Sequence, residues 1–235
     1  MSQALPVRLA KGLYRRIRGF FWKHLWEPLG IRIFHQLLYE FRATQTWEST
    51  YWMGSRALKS PFDLWVYQEI IFETKPDLII ETGTHNGGST LYLAHLLELM
   101  GEGKVLSIDI DPKDGLPEHP RIEYVKASST AAETVEMCRK AASEAKRVML
   151  ILDSDHSRDH VFREMQLLAE LVTPGCYMIV EDGNVNGHPV FKAHGPGPYE
   201  AIADYMATNK FFEIDKSRER FLVTFHPNGF MKRVR

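Results

Sequence analysis

Residues 77–89 read Asp-Leu-Ile-Ile-Glu-Thr-Gly-Thr-His-Asn-Gly-Gly-Ser. The apolar stretch 78–80, bounded by turn residues, predicts a short buried strand. The glycines that follow let the backbone turn tightly and approach a ligand closely. A helix is expected over 88–100, closed by Gly101. A strand, a glycine-bearing turn and a helix make up the opening unit of an α/β fold with parallel strands.

Working outward, the same alternation recurs. KVLSIDI (104–110), IEYVKA (122–127), RVMLILD (147–153) and CYMIVED (176–182) read as strands, with helices over 130–145, 157–171 and 199–208. Further strands are expected at 211–215, 220–226 and 229–234. Upstream, Ser60 and Pro61 predict the start of a helix, Asp63 adds first-turn negative charge, and Lys75-Pro76 ends it. The expected fold is Rossmann-like, a mostly parallel seven-stranded sheet with an antiparallel edge strand. It occupies residues 59–235 and follows an N-terminal extension, 1–58. Ligands of such sheets sit beyond the carboxyl ends of the strands. The chemistry is therefore expected in 81–89, 109–111, 127–130, 153–158 and 181–188.

The 235 residues, 44% hydrophobic and 25% charged, suit one ordered domain and exclude global disorder and coiled coil. Cys138 and Cys176 are too few for a disulfide framework or a thiolate cage, so a reducing cytoplasm is expected. The net charge of −1 argues against nucleic-acid binding, but the charge is unevenly spread. Six basic residues and no acid precede Glu27, leaving 23 basic against 30 acidic residues, a net of −7. On a helical wheel of residues 8–26, Leu9, Leu13, Tyr14, Ile17, Phe20, Phe21 and Leu25 take one half, and Arg8, Lys11, Arg15, Arg18 and Lys23 the other. Such a helix either packs on this chain or a second subunit, or lies on a membrane surface at the inner face of the bilayer. A homo-oligomer is expected.

The loop at 83–89 is neither a Walker loop nor a dinucleotide fingerprint. Glu81, two residues before Gly83, favours a cationic ligand. Asp109, 22 residues beyond Gly87 at the end of the second strand, suits ribose hydroxyls. Together they suggest a nucleoside with a positive appendage, such as S-adenosylmethionine. The fourth and fifth strands end in Asp153-Ser154-Asp155-His156 and Glu181-Asp182. Four carboxylates in one crevice would repel one another, and a hard divalent cation, Mg²⁺, Mn²⁺ or Ca²⁺, resolves this. His156 is then a candidate general base for a substrate hydroxyl. The histidine spacing does not fit a zinc site, and no Gly-x-Ser-x-Gly elbow is present. The Gly- and Pro-rich loop over 183–198 either shapes an acceptor pocket or is a surface connection.

LDSDHSRDHV (152–161), VEDGNVNGHPV (180–190), GPGPYEAI (195–202), HPNGF (226–230) and TYWMGSRALKSPFDLWVYQEI (50–70) resemble the cephalosporin hydroxylase family, most closely its rhamnosyl O-methyltransferases. The resemblance spans roughly residues 45–234. It implies a class I S-adenosylmethionine-dependent methyltransferase fold. Glu81, Gly83 and Gly87 would line the methionine end of the cofactor, with Thr84, Ser89 and Asp153 beside them. Asp109 would hold the ribose, and Ser128 and Ser129 the adenine end. Mg²⁺ would be held by Asp153 or Asp155 together with Glu181 and Asp182, with His156 as base. The implied acceptor is a hydroxyl of a small-molecule sugar or glycolipid. A hydroxylase-type enzyme component and a cofactor-binding accessory protein without turnover are the alternatives.

Overall fold

The computed structural model describes residues 4–41 and 46–235, with side chains from residue 11 onward. Arg8 and Leu9 of the expected wheel therefore lie outside the described side chains.

The chain opens with a long helical run. Helix α1 (Ala4–Phe21) leads through a π turn (Trp22–Trp26) into α2 (Glu27–His35) and a second π turn (Gln36–Glu40). The first π turn lies where Pro28 lacks an N–H and its ring would crowd the carbonyl of His24. After it, a two-stranded antiparallel hairpin, β1 (Tyr51–Trp52) and β2 (Ser55–Arg56), falls in a stretch where the sequence showed no clear period.

Helix α3 (Pro61–Thr74) starts where Ser60-Pro61 predicted, but for a different reason. The Ser60 hydroxyl caps nothing, and Asp63 is buried, accepting the Phe225 amide at 2.9 Å. The core sheet then builds from β3 (Leu78–Thr82), β4 (Lys104–Asp109), β5 (Ile122–Lys126), β6 (Val148–Leu152) and β7 (Tyr177–Val180), all parallel. Helices α4 (Gly88–Met100), α5 (Ala132–Glu144) and α6 (Arg158–Leu168) connect them. After α7 (Pro198–Thr208) come β8 (Phe212–Ile214) and β9 (Phe230–Arg233).

The strand order is β5-β4-β3-β6-β7-β9-β8. The antiparallel strand is thus β9, inserted between β7 and β8, and β8 at the edge runs with the parallel set. Residues 220–226, expected as a strand, form none. Lys216–Glu219 is a 3₁₀ turn started by Asp215, whose carboxylate accepts the Ser217 amide, and Leu222 takes φ +68°. Val223, Phe225 and His226 are buried by docking on α3 and the loop after β7 instead. Their apolar pattern recorded burial, not pairing.

β3, β6 and β7 are buried along their whole length, so side chains of both faces go into core. One face holds Ile80, Leu106, Leu150, Met178 and Met165; the other holds Ile79, Met149, Ile151, Tyr177 and Ile70. Leu150→Ala, in the middle of β6, is expected to cost about 2–5 kcal/mol, since transfer and cavity terms add. Leu99→Ala, at a side chain 85% exposed on α4, should change stability by no more than about 0.5 kcal/mol. Denaturant unfolding of the two variants measures the contrast.

Candidate active site

The carboxyl ends of β3, β4, β6 and β7 open into one cavity of about 770 Å³. Gly83, Asp109, Ser128, Ser129, Asp153, Asp155, His156 and Asp182, all expected site residues, line it. Gly83 is required by close approach: it has φ +93°, and a Cβ there would stand 1.9 Å from the Asp153 carbonyl oxygen. The loop after β3 thus lies directly on the tip of β6. Gly88 meets the same demand one turn on, where a Cβ would strike the Arg56 carbonyl of the β1–β2 hairpin at 2.2 Å.

Glu81, Thr84 and Ser89, expected against the cofactor, are buried beneath the loop and do not line the cavity; neither does Gly87, which caps α4 at φ +74°. Glu81 accepts hydrogen bonds from Ser89 Oγ at 2.7 Å, Ser107 Oγ at 2.8 Å and Thr90 Oγ1. Thr84 shares a hydrogen bond with Ser107 at 2.7 Å. Burial raises the Glu81 pKa, while Lys59 and the three hydroxyls oppose that rise. Glu81 ties the turn to β4 and α4 rather than reaching a ligand.

Asp109 remains in the cavity. The amides of His85 and Asp111 donate to its two oxygens, each at 2.8 Å, and so fix its orientation. Ser128 and Ser129 stand beyond the end of β5 on the same wall. Ser129 lies 3.4 Å from His160 Nε2, which is in turn 3.1 Å from Ser154 Oγ.

The acidic cluster is more divided than the sequence implied. Asp153, His156 and Asp182 each offer a ligand atom, and these lie within 4.8 Å of one another. His156 Nε2 is 3.3 Å from Asp182 Oδ2, and Tyr39 OH donates to the same oxygen at 3.2 Å. Asp155 lies outside this cluster, though it lines the cavity, and accepts the Ser157 amide at 2.7 Å in a turn ahead of α6. Glu181 is held by Lys59 Nζ at 2.6 Å and by Tyr67 OH at 2.7 Å. Lys59 also pairs with Asp153. The Asp182 amide donates to His226 Nδ1 at 3.2 Å, which assigns the His226 proton to Nε2, facing Glu181 and Asp63.

These contacts explain the titration behaviour. Burial and the Glu181 charge push Asp153 up to about 7, with Lys59 working against the rise. Burial disfavours the charged form of His156, yet Asp182 and Asp153 outweigh it and raise its pKa. Burial likewise opposes the Lys59 ammonium, and the two carboxylates overcome it.

Lys59, Tyr67 and His226 were not singled out one by one from the sequence. A lone lysine before a helix reads as a solvated charge, although Lys59 is 3% exposed. Tyr39, Trp47, Leu58, Val185 and Phe191 supply an apolar side of the cavity, with Tyr39 and Trp47 stacked at 4.8 Å. The loop over 183–198 thus contributes to the cavity wall.

A family profile described as Rhamnosyl O-methyltransferase/CmcI matches residues 44–234. The chain belongs to this family. The rhamnosyl O-methyltransferase of Mycobacterium leprae is 45% identical over 195 residues, covering 80% of this chain and 84% of that protein. That of Mycobacterium bovis is 42% identical over 198 residues, covering 80% and 79%. Among solved structures, apo CmcI superposes with a TM-score of 0.62 at 22% identity, over 83% of this chain and 81% of that one. A CmcI complex with Mg and SAM gives 0.61 at 21%, over the same shares. The rhamnosyl O-methyltransferase/CmcI fold is that of class I methyltransferases, and the chain is an O-methyltransferase.

Within this site, Lys59→Met leaves Asp153 and Glu181 facing each other without their buried counter-ion. We expect it to destabilise the fold by about 3–5 kcal/mol, read as a lowered denaturation midpoint.

Proposed function

We propose that this chain transfers the methyl group of S-adenosylmethionine to a sugar hydroxyl, with the help of a divalent cation such as Mg²⁺. The acceptor we assign is a rhamnosyl unit carried on a lipid. One observation carries the reading: the polar wall of Asp109, Ser128 and Ser129 shares a cavity with the Asp153–His156–Asp182 cluster. The names of the curated relatives support the sugar, and the CmcI complex with Mg and SAM supports the cofactors.

The cluster fits a hard divalent ion. Its donors are two carboxylates and an imidazole, open to the cavity, and their negative charge exceeds what Lys59 can neutralise. Asp153 and Asp182 would hold the ion. S-adenosylmethionine supplies an electrophilic methyl, and the cation lowers the pKa of a hydroxyl in contact with it.

The protein's own part is positioning and proton removal. Asp109, fixed by two amides, accepts hydrogen bonds from ribose hydroxyls, and Ser128 and Ser129 flank the base. The half-buried backbone of Gly83, part of the cavity wall, would meet the methionine end. Trp47, Phe191 and Leu58 give the sugar an apolar wall to lie against. The His156 imidazole would accept the proton of the acceptor hydroxyl, whose oxygen would take the methyl group that S-adenosylmethionine supplies, leaving S-adenosylhomocysteine. The neighbouring Asp182 carboxylate stabilises the imidazolium that results.

Methyl incorporation into a rhamnoside, with and without chelator, tests this reading, and chelation should abolish it. Asp153→Asn should weaken Mg²⁺ binding in calorimetric titration. His156→Ala should lower turnover at least about hundredfold while sparing Mg²⁺ affinity. Loss of both Mg²⁺ affinity and turnover would instead make His156 a ligand, a role its distance to Asp153 and Asp182 also permits.

A further inference from the structure

We propose that the N-terminal helical run is a docking surface for an anionic phospholipid bilayer. Among the described residues, the large apolar side chains of its first part, between Leu13 and Trp26, stay exposed. Leu13, Tyr14, Phe20, Phe21, Trp22 and Trp26 are each more than half exposed. Side chains of this size are ordinarily buried by the fold that carries them, and a contiguous exposed set marks an interaction surface.

Charge selects the partner. On α1, Leu13, Tyr14, Ile17, Phe20 and Phe21 fall within one third of the wheel, and Lys11, Arg15, Arg16 and Arg18 occupy the remainder. No acid interrupts this stretch before Glu27, in a chain whose remaining residues are net acidic. A helix with an aromatic apolar stripe flanked by arginine and lysine matches the boundary between acyl chains and anionic headgroups. No helix of the described residues is long and apolar enough to cross a membrane, so the contact would be peripheral.

Two further observations link this surface to the site. The exposed apolar surface continues onto the fold through ring contacts of Phe34 with Phe62 at 6.4 Å and of Phe62 with Phe221 at 6.1 Å. The helical run ends at Glu40, and Tyr39 in its last turn lines the cavity and donates to Asp182. One continuous helical segment therefore joins the basic apolar surface to the catalytic cluster. The inference deepens the reading of a lipid-linked acceptor, because docking would bring the cavity to the surface where such a sugar is displayed.

The test uses the full chain and co-sedimentation with vesicles of phosphatidylcholine alone or mixed with phosphatidylglycerol. The chain should sediment with the anionic vesicles, and less so as salt rises. Ile17→Glu with Phe20→Glu, and separately Arg15→Glu with Arg18→Glu, should each weaken partitioning at least about tenfold. All these residues are exposed, so the thermal midpoint should stay put. A wild-type chain that ignores both vesicle types, or variants that bind as well as wild type, overturns the proposal. So does light scattering in which both variants break a wild-type oligomer into monomers, because a second copy then covers the helix. Binding is read without methyl donor or acceptor. An inactive enzyme would therefore leave docking intact, and failed docking would leave methyl transfer intact.

Discussion

Three carboxylates, Asp153, Glu181 and Asp182, converge where β6 and β7 end, and the fold must hold them together without their repulsion driving the strands apart. Lys59 supplies one fixed positive charge from the segment that leads into α3, and it bridges Asp153 and Glu181. That leaves Asp182 and a share of Asp153 uncompensated on the cavity side, beside His156. A single lysine inside and a divalent cation outside would together balance three negative charges, whereas either alone would not. The split also divides the labour. Glu181, held by Lys59 and Tyr67 with His226 facing it, belongs to the buried scaffold, and Asp153 and Asp182 face the cavity.

The parallel sheet makes this convergence possible. β3, β6 and β7 are adjacent and in register, so their carboxyl ends come level with one another, and the backbone of Gly83 touches the tip of β6. The wall around Asp109 is built on backbone geometry: amides fixing Asp109 and a glycine whose backbone lies on the tip of β6. Such features tolerate little variation, because each depends on a few tenths of an ångström of backbone position.

This difference explains what could be read from the chain itself. DLIIETG (77–83), Asp109 and the acids at 153 and 182 were legible because each sits at the end of a short apolar run, where spacing alone fixes its place. Lys59 was not, since it meets its partners 94 and 122 residues away and no local pattern records such a contact. Glu81 misled for the opposite reason. An acid in an apolar strand before a glycine turn looks like a ligand-facing group, but hydroxyls of Ser89, Thr90 and Ser107, supplied by two other elements, satisfy it underground. Asp155 shows the same ambiguity within four residues: it and Asp153 flank one serine and both line the cavity, and only the local turn toward the Ser157 amide decides that Asp153 joins the acidic cluster.

The apolar side of the cavity is made differently. Tyr39, Trp47 and Leu58 come from the segment before the sheet, and Val185, Phe191 and His194 from the long loop between β7 and α7. None of these belongs to the alternating strand–helix core. Side chains on such segments can be exchanged without moving β3, β4 or β6, so the apolar wall can vary while the wall around Asp109 and the acidic cluster stay fixed. Tyr39 binds the two halves together, since its ring stacks on Trp47 and its hydroxyl donates to Asp182. A substitution there would disturb the apolar wall and the charge cluster at once, whereas Phe191 contributes only to the apolar wall.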